Sequence, residues 1–421
     1  DFMGRKRTFI VGLLGFALAS LLGGLAMNSS LLFGARALQG VFAALLAPAA
    51  LALITVTFHD PKERAKAFGV FGAISGGGAA IGLLLGGVLT EYLSWRWCLA
   101  VNTPIAVLAA LLAVRFVRES KAHGNTSYDI PGAITVTGGL LALVYGFTQA
   151  APAGYEDSAH WTDPSTLVWF ALSAVLLTAF FVIESRSSHP LLPLRVIRNS
   201  NRAGAYISSL MVGAGMFAMF LFLGIFMQTI LGYSPVQAGF AFLPFSVGII
   251  LGAGVASNLL PRVGPRPLMI PGLLAGAAGM LWLAQLEPDS AYVTHLLPAM
   301  LVMSLGMAFV FIPTATVALH AVDHHDAGVA SAMINTSQQV GGSLGTALMN
   351  TVAVSATSAY LVANAAAGEA AMPAALTEGF TRGFYVGAGL LITAAVVVFF
   401  MIRIGADAAA DEDEAAPVHM G

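Results

Sequence analysis

The stretch DFMGRKRTF, residues 1–9, places an acid, a glycine and three consecutive bases directly before the apolar run IVGLLGFALASLLGGLAM, residues 10–27. An apolar run of about 20 residues has the length that an α-helix needs to cross the hydrocarbon core of a bilayer. A cluster of bases beside such a run is typical of the cytoplasmic side of the membrane. The stretch therefore predicts a membrane helix that begins at its inner end.

Composition extends this interpretation to the whole chain, because 57% of the 421 residues are hydrophobic and only 10% are charged. Soluble domains carry roughly 25% charged residues. The sequence predicts an all-α polytopic membrane protein whose acidic end, residues 405–421, is a solvated tail. Twelve apolar runs have the length of helical spans, near residues 8–27, 30–57, 66–90, 96–117, 129–150, 164–184, 203–229, 236–257, 266–286, 293–318, 326–355 and 379–403.

The basic residues predict an orientation, since cytoplasmic loops attract Lys and Arg. With the first residues inside, sixteen of the nineteen Lys and Arg fall in inner loops, Arg96 and Arg382 fall outside, and Arg36 lies within a span. We therefore expect a multi-pass protein of the cell membrane with both ends of this chain in the cytoplasm.

Several segments recur in the order that one transporter family shows. After the opening residues Asp1, Gly4, Arg5 and Lys6 come RALQG at 36–40, a glycine-rich run at 69–89, WRWCLAVNTPIA at 95–106 and AGVASAMINTSQQVGGSLGTAL at 327–348. Together they resemble the major facilitator superfamily, and within it the fourteen-span drug/proton antiporter branch of the EmrB/QacA type. The resemblance covers nearly all of the chain outside the acidic tail and one predicted outer loop.

The resemblance implies a particular organisation. In the family the D-x-x-G-R loop lies between the second and third helices, whereas here it precedes the first predicted span. We therefore expect twelve of fourteen spans in this sequence, with two helices upstream of Asp1. Residues 1–122 would be the remainder of an N-terminal bundle, 123–186 two inserted central spans, and 187–404 a C-terminal six-helix bundle.

Candidate coupling residues follow from the same motifs. Arg36 and Gln39 belong to the family's R-x-x-Q-G motif, and the resemblance implies that Arg36 lowers the pKa of a proton-accepting carboxylate. Snorkelling of Arg36 to the outer interface is the alternative. Asp1, Gly4, Arg5 and Lys6 are expected to form a turn whose ion pairs latch one conformation, although a basic cluster that only sets topology explains them equally well.

The glycine-rich run contains candidate packing residues. Gly78, Gly82 and Gly86 recur every four residues, with Gly87 beside them, and such stripes let another helix pack closely. They resemble the family's antiporter motif, but that motif ends in Gly-Pro, whereas Leu83 follows Gly82 here. This departure weakens the inference of antiport from the run.

Candidate cavity residues lie in two later spans. Asn335 and Gln339 are four residues apart and share a helix face, where either substrate contact or hydrogen bonding between helices would use their amides. Met216 and Met219 offer an adaptable apolar surface, with core or lipid-facing packing as the alternative.

The leading functional hypothesis is proton-coupled efflux of hydrophobic or amphipathic drug-like compounds by alternating access. A facilitator for a specific metabolite is the alternative, and a proton-pumping respiratory subunit is excluded because the predicted spans lack mid-membrane Lys and Glu. The expected partners are the small substrate, protons and the lipid bilayer; accessory efflux proteins stay open. We expect no enzyme activity, cofactor or nucleic acid, and a metal site in the His-rich loop HAVDHHD, residues 320–326, is disfavoured.

Overall fold

The computed structural model describes residues 4–58, 81–120, 129–151, 160–187, 190–320 and 327–405, together with Glu63, Ala67, Gly78 and Val322. Within these residues every regular element is helical, and eleven helices are long and apolar enough to cross a membrane. The predicted all-α polytopic class is confirmed. The predicted span 66–90 falls largely outside the described residues, and its described end is the shorter apolar helix Ile81–Tyr92.

The described helices are numbered here in chain order. They are α1 (Arg5–Gly24), α2 (Ser29–Thr57), α3 (Ile81–Tyr92), α4 (Trp95–Ala100), α5 (Asn102–Phe116), α6 (Ile130–Ala150), α7 (Pro164–Arg186), α8 (Leu194–Arg198), α9 (Ser200–Ile225), α10 (Pro235–Ala241), α11 (Leu243–Val263), α12 (Pro265–Leu283), α13 (Leu297–Leu319), α14 (Ala327–Ala363) and α15 (Met372–Met401). Short π-helical turns at Phe226–Ile230 and Tyr292–Leu296 extend α9 and precede α13.

Polar residues fix several helix starts. The side chain of Asn28 accepts a hydrogen bond from the N–H of Leu31 at 2.8 Å, and that of Asp129 accepts one from Gly132 at 2.8 Å. These caps satisfy N–H groups that have no partner inside a helix. For this reason α2 and α6 begin within one residue of the predicted spans.

Two predicted spans are each divided into two helices. The predicted span 96–117 is split at Val101 into α4 and α5, and the predicted span 236–257 is split at Phe242 into α10 and α11. Pro104 and Pro244 lie in the first turns of α5 and α11, where a missing N–H costs nothing. Hydropathy carries no signal for such breaks, because both halves are apolar.

One compact unit comprises Asp1–Ser127 and Tyr233–Ser246. In it α1 packs against α2, α4 and α5, and the hydroxyl of Thr103 donates to the carbonyl of Ala17 at 3.0 Å. The thiol of Cys98 on α4 lies 3.2 Å from the Thr90 hydroxyl and donates to the carbonyl of Gly86 at 3.4 Å. These contacts join α4 to α3.

The other compact unit comprises Tyr128–Gly232 and Val247–Gly421. In it α9 packs against α14 and α15, and α12 packs against α13 and α15, around fully buried side chains such as Phe222, Met269 and Leu273. The paired helices α6 and α7 join this unit, since the Thr351 hydroxyl of α14 donates to the carbonyl of Phe147 at 3.1 Å.

Candidate functional site

The basic opening stretch meets a carboxylate that the sequence analysis did not single out. Glu119, just after α5, accepts a hydrogen bond from the backbone N–H of Lys6 at 3.2 Å, and its other oxygen lies 3.8 Å from Nε of Arg7. Gly4 has a φ of 101°, and a Cβ on it would lie 2.6 Å from the same carboxylate. Gly4 therefore supplies both an unusual backbone conformation and room for Glu119.

Two further bonds connect the start of α1 to the end of α5. The N–H of Arg5 donates to the carbonyl of Ser120 at 2.9 Å, and Nζ of Lys6 donates to the carbonyl of Val114 at 2.8 Å. Asp1 lies outside the described residues. The available signal for Glu119 was its position in RFVRES, residues 115–120, where an acid follows bases at the end of a predicted span.

Arg36 is anchored by a short chain of hydrogen bonds between α1 and α2. Its Nη1 donates to the side-chain oxygen of Gln39, and Nε2 of Gln39 donates to the hydroxyl of Ser20 at 2.6 Å. Gln39 and Ser20 are buried, whereas Arg36 is exposed. These bonds fix the position of the Arg36 guanidinium beside Gln39 on α2. Among the described residues, Arg36 forms no ion pair with a carboxylate.

The glycine-rich helix α3 approaches α10 at the level of the backbone. A Cβ on Gly87 would lie 2.6 Å from the carbonyl oxygen of Pro235, and one on Gly239 would lie 3.0 Å from that of Leu83. Gly87 thus has a packing partner. A Cβ at the other three candidates, Gly78, Gly82 and Gly86, would meet no atom within 4 Å among the described residues.

Glu91 lies near the end of α3, one residue past the predicted span 66–90, and bonds to the start of α10. Its carboxylate accepts hydrogen bonds from the hydroxyl of Ser234 at 2.6 Å and from the N–H of Val236 at 2.9 Å. The side chain of Gln237 also bonds back to Ser234, so α10 begins with a capping box. The two bonds to Glu91, the hydroxyl first, hold the pKa of its carboxyl below the ordinary value of 4.5.

The second unit contains a pocket of about 280 Å³ between α9, α13 and α14. It lies against Gly213, and its remaining lining is apolar except for one amide. The lining side chains are Val212, Met216, Phe217, Phe220, Phe311 and Gln338.

A second pocket, of about 490 Å³, also borders Phe217 and follows one face of α14. Its polar side chains recur at helical spacing: Gln339, Ser343, Thr346 and Asn350. Phe217 lines both pockets. Within the described residues, no charged side chain lines either one. The pair of pockets therefore joins an apolar wall to a wall of neutral hydrogen-bonding groups.

The structure places the four candidate cavity residues differently. Met216 lines the apolar pocket and Gln339 lines the polar one, whereas Met219 is fully buried in the core and Asn335 is exposed without lining either pocket. Phe217 is not among the residues predicted from the sequence, although its spacing from Gly213 and Phe220 (four and three residues) puts all three on one helix face.

Glycines hold the two pocket-forming helices together. A Cβ on Gly341 would collide with the backbone oxygen of Leu210, and a Cβ on Gly345 would collide with Ala214. Gly342 faces the ring of Phe217, and a Cβ there would lie 2.6 Å from it. The close approach of α9 and α14 therefore seats the Phe217 ring directly on α14.

Comparison with known proteins gives these features a context. Residues 1–346 match the family described as Major Facilitator Superfamily. The chain is 47% identical to the puromycin resistance protein pur8 of Streptomyces alboniger over 425 residues, which cover 99% of this chain and 82% of that protein. It is 38% identical to the cephamycin export protein CmcT of Amycolatopsis lactamdurans over 362 residues, which cover 85% of this chain and 73% of that protein.

A solved structure supports the fold alone. A bacterial homolog of the human lysosomal transporter Spinster, in an inward-facing and unoccupied conformation, is similar with a TM-score of 0.61 at 15% identity, over 97% of this chain and 84% of that one. The family match covers most of the chain, and the similarity to pur8 extends over nearly all of it. The chain belongs to the Major Facilitator Superfamily and is a membrane transporter, not an enzyme.

Proposed function

We propose that this transporter exports hydrophobic or amphipathic drug-like compounds in exchange for protons, by alternating access. The observation that carries the proposal is the pair of pockets that share Phe217. Their described lining has no charged side chain and offers an apolar wall beside a wall of hydrogen-bonding groups. We assign Gln339 and Met216 to substrate contact. Asn335 and Met219 keep a supporting role in the same two helices.

The names of the relatives support export of antibiotics. One is a puromycin resistance protein, another a cephamycin export protein, and a third, 30% identical, is multidrug resistance protein 3 of Bacillus subtilis. Puromycin is therefore the first compound to test. We also propose the fourteen-span branch, which the helix pair α6 and α7 supports because it lies in sequence between α5 and α9.

Proton coupling is assigned to Arg36 and Gln39, with Gly87 and its neighbours Gly78, Gly82 and Gly86 as packing residues. The buried hydrogen bond from Gln39 to Ser20 fixes Gln39, which in turn holds Arg36 where it can act on a proton acceptor. Asp1, Gly4, Arg5 and Lys6 are proposed to latch one conformation at the cytoplasmic face. We further propose that the protein lies in the cell membrane with both ends of this chain in the cytoplasm.

Transport by the full-length protein tests the proposal. Expressed in a host that lacks its own exporters, it is expected to raise the puromycin concentration that stops growth. In inverted vesicles, an imposed proton gradient is expected to drive puromycin uptake, and a protonophore to abolish it. Uptake that ignores the gradient would instead identify a facilitator without proton coupling, and absence of both effects would contradict drug export.

Arg36→Ala is predicted to abolish gradient-driven uptake, since the fixed positive charge is lost, while the amount of protein in the membrane stays unchanged. Arg36→Lys keeps the charge without the planar donor to Gln39, so we expect partial activity. The measurement is the initial uptake rate in inverted vesicles, normalised to transporter content. Normal uptake by the Ala variant would favour a side chain that merely reaches the interface.

A further inference from the structure

We propose that Phe217 determines substrate specificity by dividing the binding site, so that the transporter selects molecules without a negative charge that have an aromatic or apolar body and a hydrogen-bonding end. This inference rests on the proposed function and names its substrate class. It assigns the body to the apolar pocket and the polar end to the face of α14 beyond the Phe217 ring.

The first step is the position of the ring. Phe217 is 50% exposed and is the residue common to both pockets. One side of it rests on Gly342, where no side chain intervenes, so the ring has a firm support on α14. Because Phe217 lines both pockets, a ligand that occupies both gains an aromatic contact with its ring.

The second step is the contrast between the two walls. On one side Val212, Phe220 and Phe311 supply apolar contact for the body of a ligand. On the other side Ser343, Thr346 and Asn350 supply neutral donors and acceptors. A molecule with both kinds of surface satisfies both walls, whereas a purely apolar one leaves polar groups without partners.

The third step is charge. In the described part of the chain, neither pocket presents a Lys, Arg, Asp or Glu to a ligand. Amides and hydroxyls replace only part of the hydration of a full charge, so a localised anion loses more in leaving water than it gains here. We therefore infer that carboxylates and sulfonates are rejected even when their aromatic bodies fit.

Three fluorescent naphthalenes of matched shape test this inference by direct binding to the full-length protein in detergent. Dansylamide carries a neutral sulfonamide, dansyl sulfonate carries a full negative charge on the same ring system, and N,N-dimethyl-1-naphthylamine has no polar end. We expect dansylamide to bind most tightly and the sulfonate to show no saturable binding. Equal affinity for the sulfonate and the sulfonamide would overturn the inference.

Single-residue variants then test which pocket binds the apolar body of the ligand and which binds its polar end. Phe217→Ala is expected to weaken dansylamide binding about three- to tenfold, and Phe217→Trp to retain it, because the larger ring preserves the division. Asn350→Ala is expected to weaken dansylamide about three- to tenfold and to leave the naphthylamine unaffected. Phe400→Ala, an exposed phenylalanine of α15 that lines neither pocket, is the matched control.

The binding measurements do not depend on transport activity. Gel filtration shows first that each variant is folded and monodisperse. Unchanged dansylamide affinity in folded Phe217→Ala would refute the role of Phe217, even if the protein exports puromycin. The predicted binding pattern without puromycin export would instead leave the role of Phe217 standing and reject the proposed antibiotic substrate.

Discussion

The two compact units place different chemistry in their candidate sites. In the first unit two contacts near helix ends use carboxylates: Glu119 meets Arg7 and Glu91 meets Ser234. In the second unit the pockets around Phe217 are lined by neutral side chains in the middle of helices. A charged side chain costs much free energy inside the hydrocarbon core and little near water. Charged contacts therefore suit conformational switching at helix ends, and neutral groups suit ligand binding within the membrane.

The two units also differ in how much apolar side-chain surface their helices bury. On α1 of the first unit the apolar side chains Val11, Leu14 and Leu18 are exposed, whereas Phe222 and Leu223 on α9 of the second unit are almost completely buried. Exposed apolar side chains on a membrane helix are satisfied by lipid. The pocket-forming helices are instead held by direct contacts within the protein. A change in those contacts should therefore cost more than a change in the charged contacts of the first unit.

The largest effect is expected at the contact of α9 and α14. Gly341→Leu would drive a side chain into the backbone of Leu210 and is expected to destabilise the folded protein by on the order of 3 kcal/mol, or to prevent its recovery. Gly389→Leu is the control, because a Cβ at Gly389 meets no described atom within 4 Å. The folded fraction is measured by gel filtration after heating. Equal heat resistance of the two variants would contradict the packing argument.

A smaller, pH-dependent effect is expected at Glu91. Because its pKa is lowered in the folded state, its bonds to Ser234 and Val236 stabilise the protein above the carboxyl's ordinary pKa of 4.5 and are lost as pH falls through the lowered value. Glu91→Gln should melt below the wild type at pH 7, and the difference should vanish in strong acid. A difference that persists unchanged at low pH would show that ionisation of Glu91 is not involved.

The smallest effect is expected at the charged contact beside α1. The Arg7 side chain is 73% exposed and 3.8 Å from Glu119, and exposed ion pairs of this kind contribute at most about 1 kcal/mol. Arg7→Ala should therefore change the melting temperature little. Gly4→Ala should lower it more, since alanine is strained at a φ of 101° and meets Glu119. A larger loss of melting temperature for Arg7→Ala than for Gly4→Ala would show that the ion pair, and not the backbone turn at Gly4, stabilises this contact more.

Sequence predicts the helices well where composition changes sharply at their ends. The starts of α2 and α6 follow from Asn28 and Asp129, which cap them beside long apolar runs. The breaks at Val101 and Phe242 escaped prediction because apolar residues continue through them. α15 starts at Met372, against a predicted start at residue 379. The extra turns contain Pro373 at their beginning and the charged Glu378, which lower the hydropathy there.

The candidate sites were harder to predict, because they depend on which helix faces meet. The polar residues of α14 were visible as a cluster, yet only the packing of α14 against α9 separates Gln339, which lines a pocket, from Asn335, which does not. Glu119 and Glu91 find partners more than a hundred residues away in the chain. Local patterns contain no information on such pairings, whereas the motif with Arg36 and Gln39 is local and its bond follows the three-residue spacing.

Cys98 gives the protein a practical advantage for spectroscopy. It is the single cysteine in the sequence, and its thiol bonds to Thr90 and to the carbonyl of Gly86 are ones that a serine hydroxyl can also make. Cys98→Ser should therefore remove the thiol from this part of the protein while keeping both bonds. Paired reporter dyes at chosen positions could then follow the distance between helix ends in single transporters during a transport cycle.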